Sequence, residues 1–141
     1  MKLWEESKEN IRRVKPDKEM AKSIEKMIKI RQKALKMKDK KEFSSLIIED
    51  YYEIIKEAIT ALMAVDGYKT LSHEVLVGYL KYFYPQFTEE EIFHIDQLRV
   101  LRNKIAYKGF FINYDYLKRN ESKIKTITSK LNKILEKKIK K

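Results

Sequence analysis

The sequence predicts an all-α protein, a compact bundle of five or six helices in a single domain. Apolar residues recur at spacings of three and four along most of the chain, as they do on the buried face of amphipathic helices. The alternation typical of strands is absent, and three glycines and two prolines are too few for the turns of a multi-stranded sheet. A chain of 141 residues is long enough for one domain with a small core.

Positive charge is concentrated at the two ends of the chain. Residues 1–42 carry 15 Lys or Arg against 8 Asp or Glu, residues 43–117 carry 7 against 11, and residues 118–141 carry 10 against 2. We therefore divide the domain into a basic N-terminal helical arm, residues 1–42, and a body, residues 43–141. The formal net charge of +11 leaves two interpretations open: lysine faces in water, which is the commoner case, or a polyanionic partner.

The composition excludes several kinds of site. Without cysteine there is no disulfide and no thiolate nucleophile, and with two histidines a zinc site would require carboxylates. The three glycines are too far apart for a phosphate-binding loop. From this composition we expect no metal and no cofactor. No apolar run approaches the roughly 20 residues of a membrane span, so we expect a cytoplasmic protein with no membrane contact.

The arm is predicted to contain two helices. Residues 2–14 form a short, charged helix candidate with few apolar contacts. Pro16 ends it, and Asp17 caps a second helix over residues 18–38. The inner side of this second helix is predicted to hold Met20, Ile24, Met27, Ile28, Ala34 and Leu35.

The body begins with the most apolar helix, which follows a loop at residues 38–42. It starts at Ser44 or Ser45 and ends at Gly67. Its inner arc is predicted to be wide and to hold Ile47, Ile48, Tyr51, Ile54, Ile55, Ala58, Ile59, Leu62 and Val65. Its remaining stripe is acidic and consists of Glu49, Asp50, Glu53 and Glu57. Because like charges on one face repel one another, these carboxylates either lie in solvent, the interpretation that we favour, or meet cations. In the second case one of them neutralises Arg102 across the bundle.

Two further helices are predicted, one before and one after the helix of residues 88–109. Ser72 is predicted to cap a helix over residues 73–84, which a proline ends. His73 lies in its first turn, where a neutral or capping histidine is commoner than a catalytic one. The last helix starts at Asn113 or Asp115 and is expected to end in a frayed, lysine-rich tail.

Residues 88–109 form a helix with a signal at each end. Thr88 and Glu91 have the spacing of a capping box, in which each side chain bonds the backbone N–H of the other. Gly109 supplies the left-handed residue that ends a helix. The apolar residues 110–112 that follow are expected to pack against the body.

This helix is apolar on two sides. At about 100° per residue, one arc contains His94, Leu98, Leu101 and Ile105, and a second contains Phe93, Val100 and Tyr107. We therefore expect neighbours on both sides. Arg102 falls among apolar residues, so its guanidinium requires an anion. Because an ideal helix separates Arg102 from Tyr107 by about 140°, no direct contact between them is expected.

The chain resembles HEPN domains (higher eukaryote and prokaryote nucleotide-binding) at residues 98–107, which read Leu-Arg-Val-Leu-Arg-Asn-Lys-Ile-Ala-Tyr. The resemblance covers residues 44–141. It implies a compact helical bundle, usually dimeric, in a family where many members are metal-independent ribonucleases that act as toxins or in defence. Other members bind nucleotides or partner proteins.

The family's catalytic pattern is an Arg, commonly followed by Asn, with a His after four to six intervening residues. Arg102 and Asn103 match it, but Tyr107 stands where the His is first expected. The resemblance implies a binding site at Arg102, Asn103 and Tyr107, with Arg102 and Tyr107 as the candidate catalytic residues. Arg99 is added to the binding site because Arg99, Asn103 and Tyr107 are four residues apart and share one stripe of the helix. Since a tyrosine is poorly matched to proton transfer near neutral pH, we expect ribonuclease activity to be weak or absent.

The resemblance also implies partners. They are RNA or a nucleotide as ligand, a second copy of the chain in a homodimer, and a small nucleotidyltransferase in a toxin-like pair. The helix over residues 88–109, which is apolar on two sides, is expected at or beside the dimer interface. A different class of function stays open, a non-catalytic helical module for protein–protein interaction. In that case Arg102, Asn103 and Tyr107 only fix the packing of helices.

Overall fold

The computed structural model describes the backbone of residues 1–141 and every side chain except that of Lys8. The described chain contains five α-helices, namely α1 (Lys18–Lys36), α2 (Ser44–Asp66), α3 (His73–Phe83), α4 (Glu89–Lys108) and α5 (Tyr114–Lys140). It also contains one antiparallel pair of strands, β1 (Ile11–Arg13) and β2 (Tyr68–Thr70), with Ile11 opposite Thr70. The predicted all-α bundle is confirmed, with a two-stranded sheet in addition.

The centre of the bundle is α2, because it packs against α1, α3, α4 and α5. Its predicted inner arc is buried along almost its whole length, through Ile47, Ile48, Tyr51, Ile54, Ile55, Ala58, Ile59 and Leu62. Tyr52 and Met63, outside that arc, are buried as well. A helix with neighbours on most sides holds the other four in place, and its acidic stripe and Leu46 are among the side chains that reach the surface.

The helix ends follow the predicted capping signals. The Asp17 carboxylate accepts a hydrogen bond of 2.9 Å from a backbone N–H in the first turn of α1. Thr88 and Glu91 form the capping box of α4, with bonds of 3.1 and 2.9 Å. Gly67 and Gly109 end α2 and α4 with φ angles of 87° and 62°, the left-handed conformation that glycine adopts without strain.

Two predicted helix ends differ from the structure. Ser72 occupies the cap position of α3, but its hydroxyl makes no cap bond, and Thr70 Oγ1 instead accepts a bond of 3.1 Å from the Ser72 N–H. The tail is helical to Lys140 rather than frayed. The reason is a tertiary contact, since Lys138 Nζ lies 2.6 Å from a carboxylate oxygen of Asp66 at the end of α2.

The helix predicted over residues 2–14 is wrong. The chain forms two short 3₁₀ turns, Trp4–Glu6 and Lys8–Asn10, and then enters β1. A short, highly charged helix has little stability of its own, because nucleation costs more than a few turns return. The extended path gives the segment a strand partner and lets Trp4 pack against aromatic rings.

The approach of this segment to α3 explains a glycine in the middle of that helix. A Cβ atom built on Gly78 would lie 2.1 Å from the backbone oxygen of Lys2, far inside van der Waals contact. The N-terminal backbone therefore crosses α3 at a position that only glycine allows. Gly78 is unfavourable for a helix taken alone, and the tertiary crossing is what accounts for it.

Aromatic rings pack where the N-terminal segment meets α3. The Trp4 ring lies 4.8 Å from that of Phe83 and 5.2 Å from that of Tyr68, measured between centroids. We call the group Trp4, Tyr68, Tyr79, Tyr82 and Phe83 the Trp4 cluster. The Tyr79 hydroxyl donates a hydrogen bond to Asp66, so this ring is buried with its polar atom satisfied.

The inner side predicted for α1 is partly wrong. Ile28 and Leu35 are buried as expected, but Met20 and Met27 are nearly half exposed and Ala34 is exposed. Ala21, which was not predicted, is buried as well. Ala21, Ile28 and Leu35 are seven residues apart on α1 and form a buried seam against α2. Because α1 packs mainly on one neighbour, its seam is narrower than the apolar stripe of its sequence.

Candidate functional site

The two apolar sides of α4 differ in burial. His94 and Leu98 are buried in the bundle, as predicted for the first arc. On the second arc the exposed fractions are 63% for Phe93, 40% for Val100 and 75% for Tyr107. We call these three residues the α4 stripe. The expected second neighbour is therefore not supplied by the described part of this chain.

Arg102 lies between α4 and α2, with its side chain 21% exposed. Its Nη2 atom is 3.5 Å from a carboxylate oxygen of Glu53, so the anion that the sequence required is present. Its Nη1 atom donates a hydrogen bond of 3.3 Å to the Tyr107 hydroxyl, and its guanidinium carbon lies 5.7 Å from the centroid of the Tyr107 ring. The guanidinium is thus shared between a carboxylate and an aromatic side chain.

The direct contact between Arg102 and Tyr107 corrects the expectation from the helical wheel. The two residues leave the backbone about 140° apart on an ideal helix. Both side chains are long, and Tyr107 stands in the last turn, so they meet around the end of α4. The wheel describes where side chains start and not where their ends reach.

Three of the four carboxylates of the acidic stripe of α2 meet cations, which corrects the interpretation favoured from sequence for these three; Glu49 has no cation within 4.0 Å among the described side chains. Asp50 is 2.5 Å from Lys38, and Glu57 is 2.9 Å from Arg31. Glu53 meets both Lys56, at 2.8 Å, and the guanidinium of Arg102. Lys56 belongs to α2 itself, whereas the other cations come from α1, from the following loop and from α4, and the spacing of α2 alone could not reveal those. The alternative, in which one carboxylate neutralises Arg102, is confirmed.

The predicted site residues Arg99 and Asn103 are placed differently from Arg102. Arg99 is 2.9 Å from Asp96 on its own helix, and its side chain is only 11% exposed. Burial raises the pKa of Tyr52 to about 12, although the positive charges of Arg99 and Arg102 act to lower it. Asn103 is partly exposed one residue beyond Arg102. Arg99 is therefore a packed, paired residue, whereas Arg102 and Tyr107 reach the surface.

His73 belongs to the electrostatic environment of Arg102, which sequence reasoning missed. Partial removal from water lowers the pKa of His73, the positive charges of Lys56 and Arg102 lower it further, and Glu53 opposes the shift. The imidazole is therefore neutral near pH 7 and carries a free basic nitrogen. No local signal links position 73 to position 102, because the two residues lie on separate helices, α3 and α4.

The segment after α4 adds exposed aromatic side chains. Ile112 is buried, and its N–H donates a bond of 2.7 Å to Ser45, as expected for a segment that packs against the body. Phe110 and Phe111 are exposed instead, which corrects that expectation for two of the three residues. Lys104 Nζ lies 5.8 Å from the centroid of the Phe110 ring. The end of α4 thus combines cations with uncovered rings.

Other kinds of site are not formed by the described residues. No group of three His, Asp or Glu side chains among them has the geometry to hold a metal ion. None of the described helices combines the length and the apolar composition that crossing a membrane requires. Comparisons of the chain with protein-family models, with curated proteins and with solved structures gave no match. The resemblance to HEPN domains therefore stays a prediction.

Proposed function

We propose that this chain is a HEPN-like RNA-binding protein whose ribonuclease activity is weak or absent. One observation carries the proposal, the contact of the Arg102 guanidinium with a Tyr107 ring that is 75% exposed. Single-stranded RNA is bound by cations that track its phosphates and by aromatic rings on which its bases stack. The end of α4 offers both within one side-chain contact.

The environment of Arg102 leaves it available to a phosphate. A guanidinium carries five N–H donors, and the contacts of Arg102 with Glu53 and Tyr107 are 3.5 and 3.3 Å long. Charge-assisted hydrogen bonds are commonly nearer 2.8 Å. An RNA phosphate therefore competes for a cation that is held in place but weakly bonded.

The same geometry supports slow chemistry at most. Metal-independent RNA cleavage requires a base for the 2′-hydroxyl, an acid for the leaving oxygen and a cation for the developing negative charge. Arg102 supplies the cation, and the candidate bases are Glu53, 3.5 Å from Arg102, and neutral His73. Tyr107 is the group at the position of the expected acid, and a phenol transfers a proton much less readily than an imidazolium near pH 7.

Titration with a labelled single-stranded RNA over a salt series tests the proposal. We expect Arg102→Ala to raise the Kd about tenfold, the loss of a hydrogen bond to a charged group. Tyr107→Ala should raise it about fivefold or more through lost stacking, and Tyr107→Phe should keep most of the affinity. Arg12→Ala, which removes an exposed arginine from β1, is the matched control for charge.

Two results would contradict RNA binding at the end of α4. One is the absence of binding by the wild type at low salt, where electrostatic attraction is strongest. The other is an equal loss of affinity in Arg12→Ala and Arg102→Ala, because affinity would then depend on net charge alone.

A second candidate function is a non-catalytic interaction module that forms a homodimer through the α4 stripe. Its exposed residues are seven apart, which is the spacing of a helix–helix seam. A twofold axis at Val100 would set Phe93 of one copy against Tyr107 of the other, since each is seven residues away. The same axis sets Asp96 against Lys104, four residues on either side, so the pairing is complementary in charge.

Light scattering at tens of micromolar protein tests this pairing. We expect a dimer for the wild type and a monomer for Val100→Glu, because two carboxylates would then face each other in the seam. Met27→Glu, on the exposed side of α1, is the matched control and should stay dimeric. A monomeric wild type would remove the dimer and leave RNA binding untouched.

The pairing with a small nucleotidyltransferase stays a prediction of the HEPN resemblance. A toxin-like role requires the two proteins to be made together. A coding sequence for such an enzyme beside that of this chain is the expected finding, and co-purification of the two products would test it directly. Stable isolation of each protein alone from co-expressing cells would contradict it.

A further inference from the structure

The outer side of α1 carries an apolar stripe that no other element covers. Its residues recur at alternating spacings of three and four; they are Met20, Ser23, Met27, Ile30, Ala34 and Met37. All six are exposed, and the four large apolar side chains among them are 45 to 81% exposed. We call this set the α1 stripe. Alternating spacings of three and four are the a and d positions of a heptad, the narrow seam through which two helices pack.

The α1 stripe is separate from the faces of α1 that pack within the bundle. At about 100° per residue, its centre lies about 130° around the helix from the buried seam of Ala21, Ile28 and Leu35, which faces α2. A third side of α1 lies against α5, where Gln32 and Lys36 line a groove together with residues of α5. The α1 stripe therefore points away from both neighbours.

Lysines flank the α1 stripe on the side away from α2. With the stripe at positions a and d, Lys26 and Lys33 occupy g positions, and Lys29 follows next around the helix. Among the described side chains, none of these three lysines has a carboxylate within 4.0 Å. Glu19, on the same flank, is bonded to Lys22 at 3.2 Å. Since α1 carries seven Lys or Arg against two Glu, the flank is positive and uncompensated.

These charges argue against a second copy of the chain as the occupant of the α1 stripe. In a parallel pair of α1 helices, each g position faces an e position, which sets Lys26 against Arg31 and Lys33 against Lys38. In an antiparallel pair, g faces g, which sets Lys26 against Lys33. Both arrangements place like charges opposite each other. A helix with acidic residues beside its own apolar seam would place opposite charges there instead.

The composition of the α1 stripe argues against a membrane surface. Helices that lie in a membrane interface bury a broad apolar face with Trp, Phe or Leu. The α1 stripe is narrow, contains no aromatic residue, and has Met at three of its six positions. Because Met side chains are flexible, they adapt to the side chains of a partner. Both features favour a protein helix.

We propose that the α1 stripe binds an amphipathic helix of a partner protein, with apolar residues at its a and d positions and Glu or Asp beside them. The apolar side chains of the two helices would interlock, and the lysine flank would select the acidic partner. The stripe belongs to the N-terminal arm and lies on a different helix from Arg102 and the α4 stripe. The inference therefore goes beyond RNA binding and does not depend on it.

Fluorescence anisotropy with a labelled synthetic peptide tests the proposal. The peptide has three heptads, with Leu at a and d and Glu at e and g, so that its own copies repel one another near pH 7. We expect saturable binding with a Kd of about 10–100 µM at about 0.1 M salt. The same peptide with Lys in place of Glu should bind at least about tenfold more weakly, because the flanking attractions become repulsions.

A pair of double variants tests the apolar contact. Met27→Gln with Ile30→Gln removes the centre of the α1 stripe without a change of charge, and the Kd should rise at least about tenfold. Leu46→Gln with Leu71→Gln removes two exposed apolar side chains elsewhere and should change the Kd less than about twofold. All four residues are exposed, so both variants should fold.

A second pair tests the charge. Lys26→Gln with Lys33→Gln should raise the Kd of the acidic peptide about fivefold at about 0.05 M salt, and less at about 0.5 M, where the charges are screened. Lys81→Gln with Lys118→Gln removes the same charge from α3 and α5 and should leave the Kd within about twofold. These four lysines are exposed as well.

Several results would overturn the proposal. They are no binding of the acidic peptide at about 1 mM, equal affinities for the acidic and basic peptides, and equal losses in the two apolar variants or in the two lysine variants. Loss of a homodimer in Met27→Gln with Ile30→Gln, measured by light scattering, would assign the α1 stripe to a second copy. Binding of the wild type to vesicles of phosphatidylcholine and phosphatidylserine, without binding of the peptide, would assign it to a membrane surface.

Discussion

Two groups of aromatic side chains differ in what covers them. In the Trp4 cluster, rings from the N-terminal segment, β2 and α3 lie within about 6 Å of one another, and Tyr79 bonds to Asp66. Along α4 and just after it, the rings of Phe93, Tyr107 and Phe111 are largely exposed. The same residue types therefore stabilise the fold in one region and are left without a neighbour of this chain in the other.

Two arginines of α4 show the same difference at the level of one side chain. Arg99 is bonded to Asp96 at 2.9 Å and is nearly covered. Arg102, one turn later, has two longer contacts and reaches the surface. A side chain that is buried and fully bonded within the chain stabilises the fold. The exposed, weakly bonded side chains at the end of α4 are therefore better candidates for a function.

The largest expected effect is a loss of folding stability when the Trp4 cluster is disrupted. Trp4→Ala removes the ring that joins the N-terminal segment to α3, and we expect the free energy of unfolding to fall by about 3 kcal/mol. Urea denaturation followed by circular dichroism measures it.

Phe93→Ala is the matched change on the α4 stripe. Because Phe93 is mostly exposed, the free energy of unfolding should change by less than about 0.5 kcal/mol in dilute protein. Equal losses of stability in the two variants would show that the α4 stripe is covered in solution, as the Trp4 cluster is.

A smaller effect concerns catalysis at Arg102. Tyr107→His places an imidazole beside the guanidinium, and we expect RNA cleavage to rise at least about tenfold, a modest part of what general acid–base catalysis provides. Tyr107 is exposed, so the fold should tolerate the change. Single-turnover cleavage of labelled RNA in the presence of EDTA is the measurement.

The double variant Arg102→Ala with Tyr107→His is the control and should lose the gain, because no cation then stabilises the transition state. His73→Gln in the wild type tests the source of any residual cleavage. Robust cleavage by the wild type that Tyr107→Phe abolishes would make Tyr107 a functional proton donor and overturn the prediction of weak activity.

The smallest predicted effect is a loss of stability in mild acid. Burial lowers the pKa of His94 below its ordinary 6.5, Lys123 lowers it further, and Glu90 opposes the shift. The unfolded chain therefore takes up a proton below pH 6.5 that the folded chain resists. Stability is full above pH 6.5 and falls as the pH drops from there through the folded pKa.

His94→Leu should remove most of this acid dependence in urea titrations between pH 7.5 and pH 5. The variant should be no less stable than the wild type at pH 7.5, because His94 Nε2 is buried without a hydrogen-bond partner among the described residues. His73→Gln controls for the other histidine. An unchanged acid dependence in His94→Leu would assign the effect elsewhere.

Much of the fold was predictable because its signals are local. Four helix ends, in α1, α2 and α4, follow from Asp17, the Thr88 and Glu91 capping box, and the glycines after α2 and α4, and each of these bonds joins residues three to five apart. The apolar arc of α2 was also correct, because a helix that is apolar over most of its surface must be central.

The candidate site was predictable only in part. The need of Arg102 for an anion follows from its apolar neighbours on α4. Its partner Glu53 is 49 residues earlier in the chain, and the sequence offered four carboxylates without a means of choosing one. His73 and the contact with Tyr107 were missed, since both depend on how side chains from separate elements reach across space.

By itself, then, the sequence determined where most helices of the bundle begin and end, which faces are apolar, and that one arginine requires a charge partner. Only the tertiary structure decided that residues 11–13 form a strand, that Gly78 admits the N-terminal backbone, and that the α4 stripe stays uncovered. The physical reason is range. Capping and periodicity act within one or two turns, whereas strand pairing, ion pairs and burial depend on residues that the chain brings together from tens of positions away.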